Sequence, residues 1–116
     1  PIQYALTYPK RAANPFPKID FTQRTNFTFE QPDLETFRCL ALAYRALKIG
    51  GTMPAVLNAA NEIAVARFLD GKIGFLDIPV LIEKTMQAYT VKQTYTLEDL
   101  LQADAWARAF ATEANV

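Results

Sequence analysis

Proline placement is the feature that most constrains how this 116-residue chain can fold. Five of its seven prolines lie before residue 33, at Pro1, Pro9, Pro15, Pro17 and Pro32. Proline fixes its own φ angle and disfavours helix in the residue before it, so no long helix can run through this third of the chain. We therefore expect an extended segment over residues 1–32.

Two short stretches of this segment alternate apolar and polar residues. Ile19 and Phe21 flank Asp20, and Phe27 and Phe29 flank Thr28. A period of two is typical of a strand with one buried face. The pattern predicts one or two short β segments that dock on a sheet in another domain.

The pattern becomes helical after Asp33, which is a plausible N-cap residue. Gly50 and Gly51 predict the end of this first helix, because glycine accepts the left-handed conformation that often closes a helix. Spacings of three and four residues predict that its apolar stripe consists of Leu34, Phe37, Leu40, Ala41, Tyr44 and Leu47.

Two more helices follow. Thr52 is a plausible cap for a helix with Pro54 in its first turn, running to about Asp70 and ending at Gly71. Asp77 and Pro79 repeat this type of start for a third helix. The apolar stripe expected for the third helix is Ile78, Leu81, Ile82, Met86 and Tyr89.

Thr96 and Asp99 resemble a capping box, which predicts the start of a fourth helix, and Asp104 is expected to recap or kink it. Short connections between helices favour antiparallel packing. We therefore predict a mainly α chain: a four-helix bundle over residues 33–116, preceded by an extended linker over residues 1–32 that carries the tail of another domain.

Composition and charge exclude several classes of function. Twelve basic and twelve acidic residues leave a net charge of zero, so we expect no nucleic-acid partner. No apolar run is long enough to cross a bilayer, and the single cysteine, Cys39, is expected to be buried in a reducing, cytoplasmic setting. The sequence has no histidine and no glycine-rich phosphate loop, so we predict no catalytic, cofactor-binding or metal-binding residue.

One polar cluster lies within an otherwise small and apolar helix. Asn58, Asn61 and Glu62 stand at i, i+3 and i+4 and share one helix face. Such a face could bind a ligand, or it could be a structural polar tie that satisfies groups of the linker or of a neighbouring helix. We favour the structural tie, because a single helical face without partner motifs is weak evidence for a site.

Aromatic residues at helical spacing allow a similar choice. Tyr44, Tyr89, Trp106 and Phe110 could form a binding surface. Their spacing is more typical of a core or an interface.

The run Leu-Asn-Ala-Ala-Asn-Glu at residues 57–62 resembles the signature of the C-terminal domain of the 1-deoxy-D-xylulose 5-phosphate reductoisomerase family. The start of the chain is similar to the family's helix and Trp-Pro-Asn-Arg segment, with Tyr8 and Lys10 as departures. Residues 19–21 and 27–29 resemble the family's Leu-Asp-Phe and Leu-Thr-Phe. The resemblance covers essentially the whole chain.

The resemblance implies that the chain is a piece of a larger, homodimeric enzyme. Such enzymes use NADPH and Mg²⁺ or Mn²⁺ to convert 1-deoxy-D-xylulose 5-phosphate to 2-C-methyl-D-erythritol 4-phosphate in the non-mevalonate route to isoprenoids. Their catalytic and cofactor-binding residues precede the matched segment, so the upstream catalytic domain is the expected partner. A free-standing, non-enzymatic helical interaction module is the alternative.

Overall fold

The structure, a computed structural model, describes residues 2–23 and 26–116. Pro1, the first of the five early prolines, lies outside them. The chain divides into a first unit that ends at Gln31 and a second unit, Pro32–Val116. In chain order the helices are α1 (Ile2–Thr7), α2 (Arg38–Ile49), α3 (Met53–Leu69), α4 (Asp77–Ala88) and α5 (Leu97–Glu113).

The first unit is less extended than the prolines indicate. The Gln3 side chain of α1 donates to the carbonyl oxygens of Ala12 and Ala13, both at 3.2 Å, and accepts a 2.8 Å bond from Asn14. The Arg11 guanidinium lies 4.5 Å from the centre of the Tyr4 ring. The segment after α1 therefore folds back along this short helix.

The predicted β segments are absent from the described part of the first unit. Residues 19–21 and 27–29 form no strand, and Asp20 instead makes a turn by accepting bonds from the backbone and the side chain of Thr22. Strands need paired neighbours for their backbone groups, and residues 2–23 and 26–116 provide no such neighbour for either stretch. Phe29 remains 91% exposed.

Helix α3 is the centre of the second unit, because it packs against α2, α4 and α5. The buried residues of α3 and α5 are mostly alanines, which allow the two backbones to approach closely. Five of them are completely buried and one is 2% exposed: Ala59, Ala60, Ala64, Ala107 and Ala111, together with Ala103. A helical domain is thus confirmed.

The third predicted helix is also confirmed, with its expected stripe facing inward. Leu81 and Ile82 of α4 are at most 2% exposed, and Ile78 and Met86 are also buried. Tyr89 is half-buried against this core. The stripe was readable because α4 has only one apolar side.

The stripe predicted for α2 was wrong. Leu42 and Ala46 are the buried residues of this helix, whereas Tyr44 and Leu47 of the predicted stripe are 54% and 73% exposed. Cys39 is exposed as well, contrary to its expected burial. The helix is apolar on two sides, and periodicity cannot say which side meets the core.

Two predictions about where helices begin or bend were wrong. Asp33 does not cap α2; its carboxylate accepts from the amides of Glu35 and Thr36 and closes a separate turn, and α2 begins at Arg38. Asp104 neither recaps nor kinks the fourth bundle helix, since α5 runs unbroken from Leu97 to Glu113. Asp104 is held in mid-helix by Arg108, one turn further on.

The loop before α3 is clamped to the loop before α5. Thr52 is completely buried, and its amide donates to the carbonyl oxygen of Lys92 at 3.1 Å. Its hydroxyl accepts from the amide of Lys92 and donates to the hydroxyl of Tyr89. The sequence predicted that Thr52 caps α3. Its side chain does not cap this helix and instead joins the two loops.

Gly51 lies beside this clamp with a φ of 57°, and a β carbon there would collide with the carbonyl oxygen of Lys92. Replacing Gly51 with alanine adds left-handed strain and overpacking, so we expect a loss of roughly 2 to 5 kcal/mol in unfolding free energy. Urea denaturation followed by circular dichroism measures it.

Gly71 is the matched control, because its φ is 70° but nothing lies within 4 Å of an added β carbon. Gly71→Ala should cost only the strain, roughly 1 to 2 kcal/mol. Equal losses in the two variants would contradict the importance of the clamp.

Candidate functional site

The polar face predicted on the second helix lies on α3 and faces α5 in part. Asn58 is exposed and donates a 3.0 Å hydrogen bond from its amide to Glu62. Glu62 in turn forms a 2.8 Å ion pair with Arg108 of α5. Asn61 is half-buried, and its side chain makes no hydrogen bond within the described residues.

Arg108 is the residue that joins these groups. Its Nε atom lies 2.7 Å from Asp104 Oδ2, and its Nη2 atom lies 2.8 Å from Glu62 Oε2. One guanidinium therefore bridges two carboxylates on two helices, a geometry that its planar fork of donors suits. Its spacing of four residues from Asp104 was visible in the sequence, but its pairing with Glu62 was not.

The electrostatics of this network favour the charged forms of Glu62 and Arg108. Hydrogen bonding first from Arg108, then from Asn58, lowers the pKa of Glu62. Asp104, followed by Glu62, raises the pKa of Arg108. A general acid or base for neutral pH needs shifts that bring its pKa toward 7, so these groups are set up to hold charge and not to exchange protons.

A second polar group caps α5. The Thr96 hydroxyl accepts from the amide of Asp99, and the Asp99 carboxylate accepts from the amide of Thr96, as the predicted capping box requires. Lys92 also pairs with Asp99 at 2.6 Å. The Lys92 ammonium, together with the Thr96 donors, lowers the pKa of Asp99 to about 2.

The other end of α5 is held by cations that the sequence did not single out. Arg67 of α3 donates to the carbonyl oxygens of Ala111 and Ala114 at 2.7 and 2.8 Å. Lys84 of α4 donates to the carbonyl oxygen of Asn115 at 2.8 Å. Carbonyls at a helix C-terminus lack intrahelical partners, so both cations complete the end of the bundle.

The aromatic residues form a stack at the edge of the core. Tyr89 and Trp106 have ring centres 5.0 Å apart, and Trp106 and Phe110 have ring centres 5.2 Å apart. Trp106 is 36% exposed, so the stack is partly covered by the bundle itself. Tyr44 does not join it and stays on the outer side of α2.

No group of three or more histidine, cysteine, aspartate or glutamate side chains is placed to hold a metal ion in residues 2–23 and 26–116. Although Cys39 is exposed, desolvation by its neighbours raises the pKa of its thiol, which keeps it from acting as a ready thiolate nucleophile. Within the described residues, no helix combines the length and hydrophobicity needed to cross a membrane.

Sequence comparison places these features in a known group of proteins. The family model for the DXP reductoisomerase C-terminal domain matches residues 1–110. The 1-deoxy-D-xylulose 5-phosphate reductoisomerases of Ruminiclostridium cellulolyticum and Chlorobaculum tepidum are each 56% identical over 113 residues. Each match covers 97% of this chain and 30% of the relative, so the chain spans about 30% of the length of these curated relatives.

Solved structures give the same result for the fold. The 1-deoxy-D-xylulose 5-phosphate reductoisomerase of Zymomonas mobilis, solved in complex with NADPH, matches with a TM-score of 0.87 and 50% identity. The match covers 96% of this chain and 29% of that chain. A DOX-P reductoisomerase solved with magnesium matches with a TM-score of 0.84 and 35% identity, covering 96% of this chain and 30% of that one.

The Asp99 network predicts a loss of stability in acid. The pKa of Asp99 is about 2 in the folded chain, below the ordinary 3.8. The contribution of this carboxylate to the free energy of unfolding is therefore complete above pH 3.8 and disappears as the pH falls toward 2. Asp99→Asn should lower the urea midpoint at pH 7, and its difference from the unsubstituted chain should shrink between pH 4 and pH 2. Glu98→Gln, its exposed neighbour, is the control; a difference for Asp99→Asn that is constant with pH would contradict the prediction.

The Arg108 bridge predicts a coupling that depends on salt. Arg108→Ala and Glu62→Ala should each destabilise the bundle, and a double-mutant cycle should show a favourable coupling between the two residues. Because the pair is partly solvated, molar NaCl should weaken this coupling. Lys72→Ala, which removes an ion pair within a single loop, serves as the control. A double-mutant cycle of Arg108 and Glu62 that shows no coupling at low salt would contradict the prediction.

Proposed function

The chain belongs to the 1-deoxy-D-xylulose 5-phosphate reductoisomerase family, and we propose that it is the C-terminal structural domain of such an enzyme. The whole enzyme converts 1-deoxy-D-xylulose 5-phosphate to 2-C-methyl-D-erythritol 4-phosphate with NADPH and Mg²⁺ or Mn²⁺, in the non-mevalonate route to isoprenoids. The observation that carries this proposal is the match of 97% of the chain, at 56% identity, to 30% of a reductoisomerase.

The chain's role in that enzyme is mechanical. The described residues offer no group of ligands placed to hold the divalent cation. We assign both cofactors to the part of the polypeptide that precedes this chain. No residue of this chain is proposed to be catalytic.

The chain's two parts have different tasks in this proposal. Residues 1–32 are the tail of the catalytic domain and the linker, and residues 33–116 are the C-terminal helical bundle. The separation into units at Gln31 and Pro32 supports this division. The exposed aromatic side chains Phe21, Phe27 and Phe29 support a linker that docks on another part of the enzyme.

Asn58, Asn61 and Glu62 form a structural polar tie in this proposal and not a ligand site. The bond from Asn58 to Glu62 and the ion pair from Glu62 to Arg108 support it, because they join α3 to α5. Asn61 contributes the least, since its side chain has no hydrogen-bond partner in the part of the chain that the structure describes.

The setting of the whole enzyme follows from the same family membership. We propose that the whole enzyme is a cytoplasmic homodimer. Within each subunit, the partner of this chain is the upstream catalytic domain of the same polypeptide. A formal net charge of zero supports the absence of a nucleic-acid partner.

The test is a chimeric enzyme. The matching C-terminal region of the Ruminiclostridium cellulolyticum reductoisomerase is replaced by this chain, and NADPH oxidation with the sugar phosphate is measured. We expect turnover within roughly tenfold of the unmodified relative, a difference of about 1.4 kcal/mol in activation free energy. The relative truncated before this region should be inactive or unfolded.

Two results would decide against the proposal. Unchanged folding and turnover in the truncated relative would remove the structural role. A chimera without turnover, beside a chain that is a well-folded monomer with no affinity for the truncated relative, would favour a free-standing interaction module.

A further inference from the structure

Helix α2 has a second apolar side that the bundle does not use. Tyr44 lies two residues from both Leu42 and Ala46, which places it about 160° around the helix from each of these buried residues. Leu40 and Leu47 share its side and are 38% and 73% exposed. An amphipathic helix in a two-layer packing needs one apolar side, so the outer one requires a separate explanation.

The outer side of α2 continues into an apolar groove at its N-terminal end. The groove has a volume of about 350 Å³ and lies between the start of α2 and the segment that leads into α4. Phe75 and Leu76 form its far wall and are 68% and 77% exposed, and Phe37, at 63%, lies on the α2 side. We define the outer apolar face as Phe37, Leu40, Tyr44, Leu47, Phe75 and Leu76.

The charges around this face do not favour a charged ligand. Arg38, which lines the groove, is already paired with Glu83 of α4 at 2.8 Å, and Arg45 also contacts Glu83 at 3.4 Å. Both guanidiniums near the groove thus already share the one carboxylate of Glu83 on the bundle side. A specific small-molecule site would need a few well-placed polar groups to orient its ligand, and the exposed walls are aromatic and aliphatic.

The same chemistry suits another part of a protein. Six large apolar side chains in one continuous area are more than isolated surface hydrophobics, and such an area usually marks an interface. The relatives indicate what is available to cover it, because about 70% of their length lies outside the region that this chain matches. In one polypeptide such a body is present at a high effective concentration, which favours it over a second copy of the bundle.

We propose that the outer apolar face packs against the catalytic body encoded upstream of this chain and receives apolar side chains from it in the α2 groove. This inference rests on the function proposed above and adds the surface through which the bundle supports the enzyme. It also explains why the stripe that looks most like a core in the sequence is solvent-exposed in this chain.

The experiment uses the chimeric enzyme and Cys39, which lines the groove and is exposed in this chain, as a reporter. Maleimide labelling of Cys39 is quantified by mass spectrometry of its peptide. In the chimera the thiol should be protected. The double variant Leu40→Glu with Phe75→Glu places charge on the outer apolar face, and it should label roughly tenfold faster as the bundle separates from the body.

The matched control is Leu97→Glu with Leu101→Glu, two exposed leucines of α5 that lie outside the outer apolar face. The control should keep Cys39 protected. Because Leu40 and Phe75 are exposed in this chain, the double variant in the isolated chain should keep its helical circular dichroism and its urea midpoint. That measurement separates undocking from unfolding of the bundle.

The outcomes are distinguishable. An active chimera in which Cys39 labels equally fast with and without the Leu40 and Phe75 substitutions would overturn the docking inference and leave the proposed function standing. Protection that depends on enzyme concentration would also overturn it, in favour of a second copy. An inactive, unfolded chimera would remove the proposed function and this inference with it.

Discussion

The second unit depends on the close approach of α3 and α5, which small side chains make possible. Alanine keeps helix propensity high and lets two backbones come near enough for many weak dispersion contacts to add up. The run at residues 57–62 serves this packing directly, since Ala59 and Ala60 are completely buried while Asn58 and Glu62 stay at the surface. The polar residues of this run are its most noticeable feature in the sequence, but its two alanines are the residues that lie in the core.

Charged groups then complete what the alanine packing begins. Arg108 joins Glu62 to Asp104, and Arg67 closes the carbonyl end of α5. Surface ion pairs contribute little free energy individually. Glu62 has a lowered pKa and Arg108 a raised pKa, so both side chains stay charged, as expected for structural contacts rather than proton transfer.

Local sequence signals were read correctly where the chemistry is itself local. The glycine pair at Gly50 and Gly51 ends α2, and the exchange of hydrogen bonds between Thr96 and Asp99 begins α5. The same reasoning failed at Asp33, because an aspartate can close a turn as readily as it caps a helix. It also failed for the alternating residues around Phe27, where a strand would require a partner strand that the described part of the chain does not provide.

The sequence by itself determined the family, through residues 57–62, and the existence and order of the helices α2 to α5, through breakers and periodicity. Only the tertiary structure decided which side of α2 is buried and that Glu62 meets Arg108. The physical reason is the same in both cases. Periodicity reports the angle at which a side chain leaves its helix, whereas burial and pairing depend on which neighbouring helix occupies that direction, and residues distant in sequence decide that.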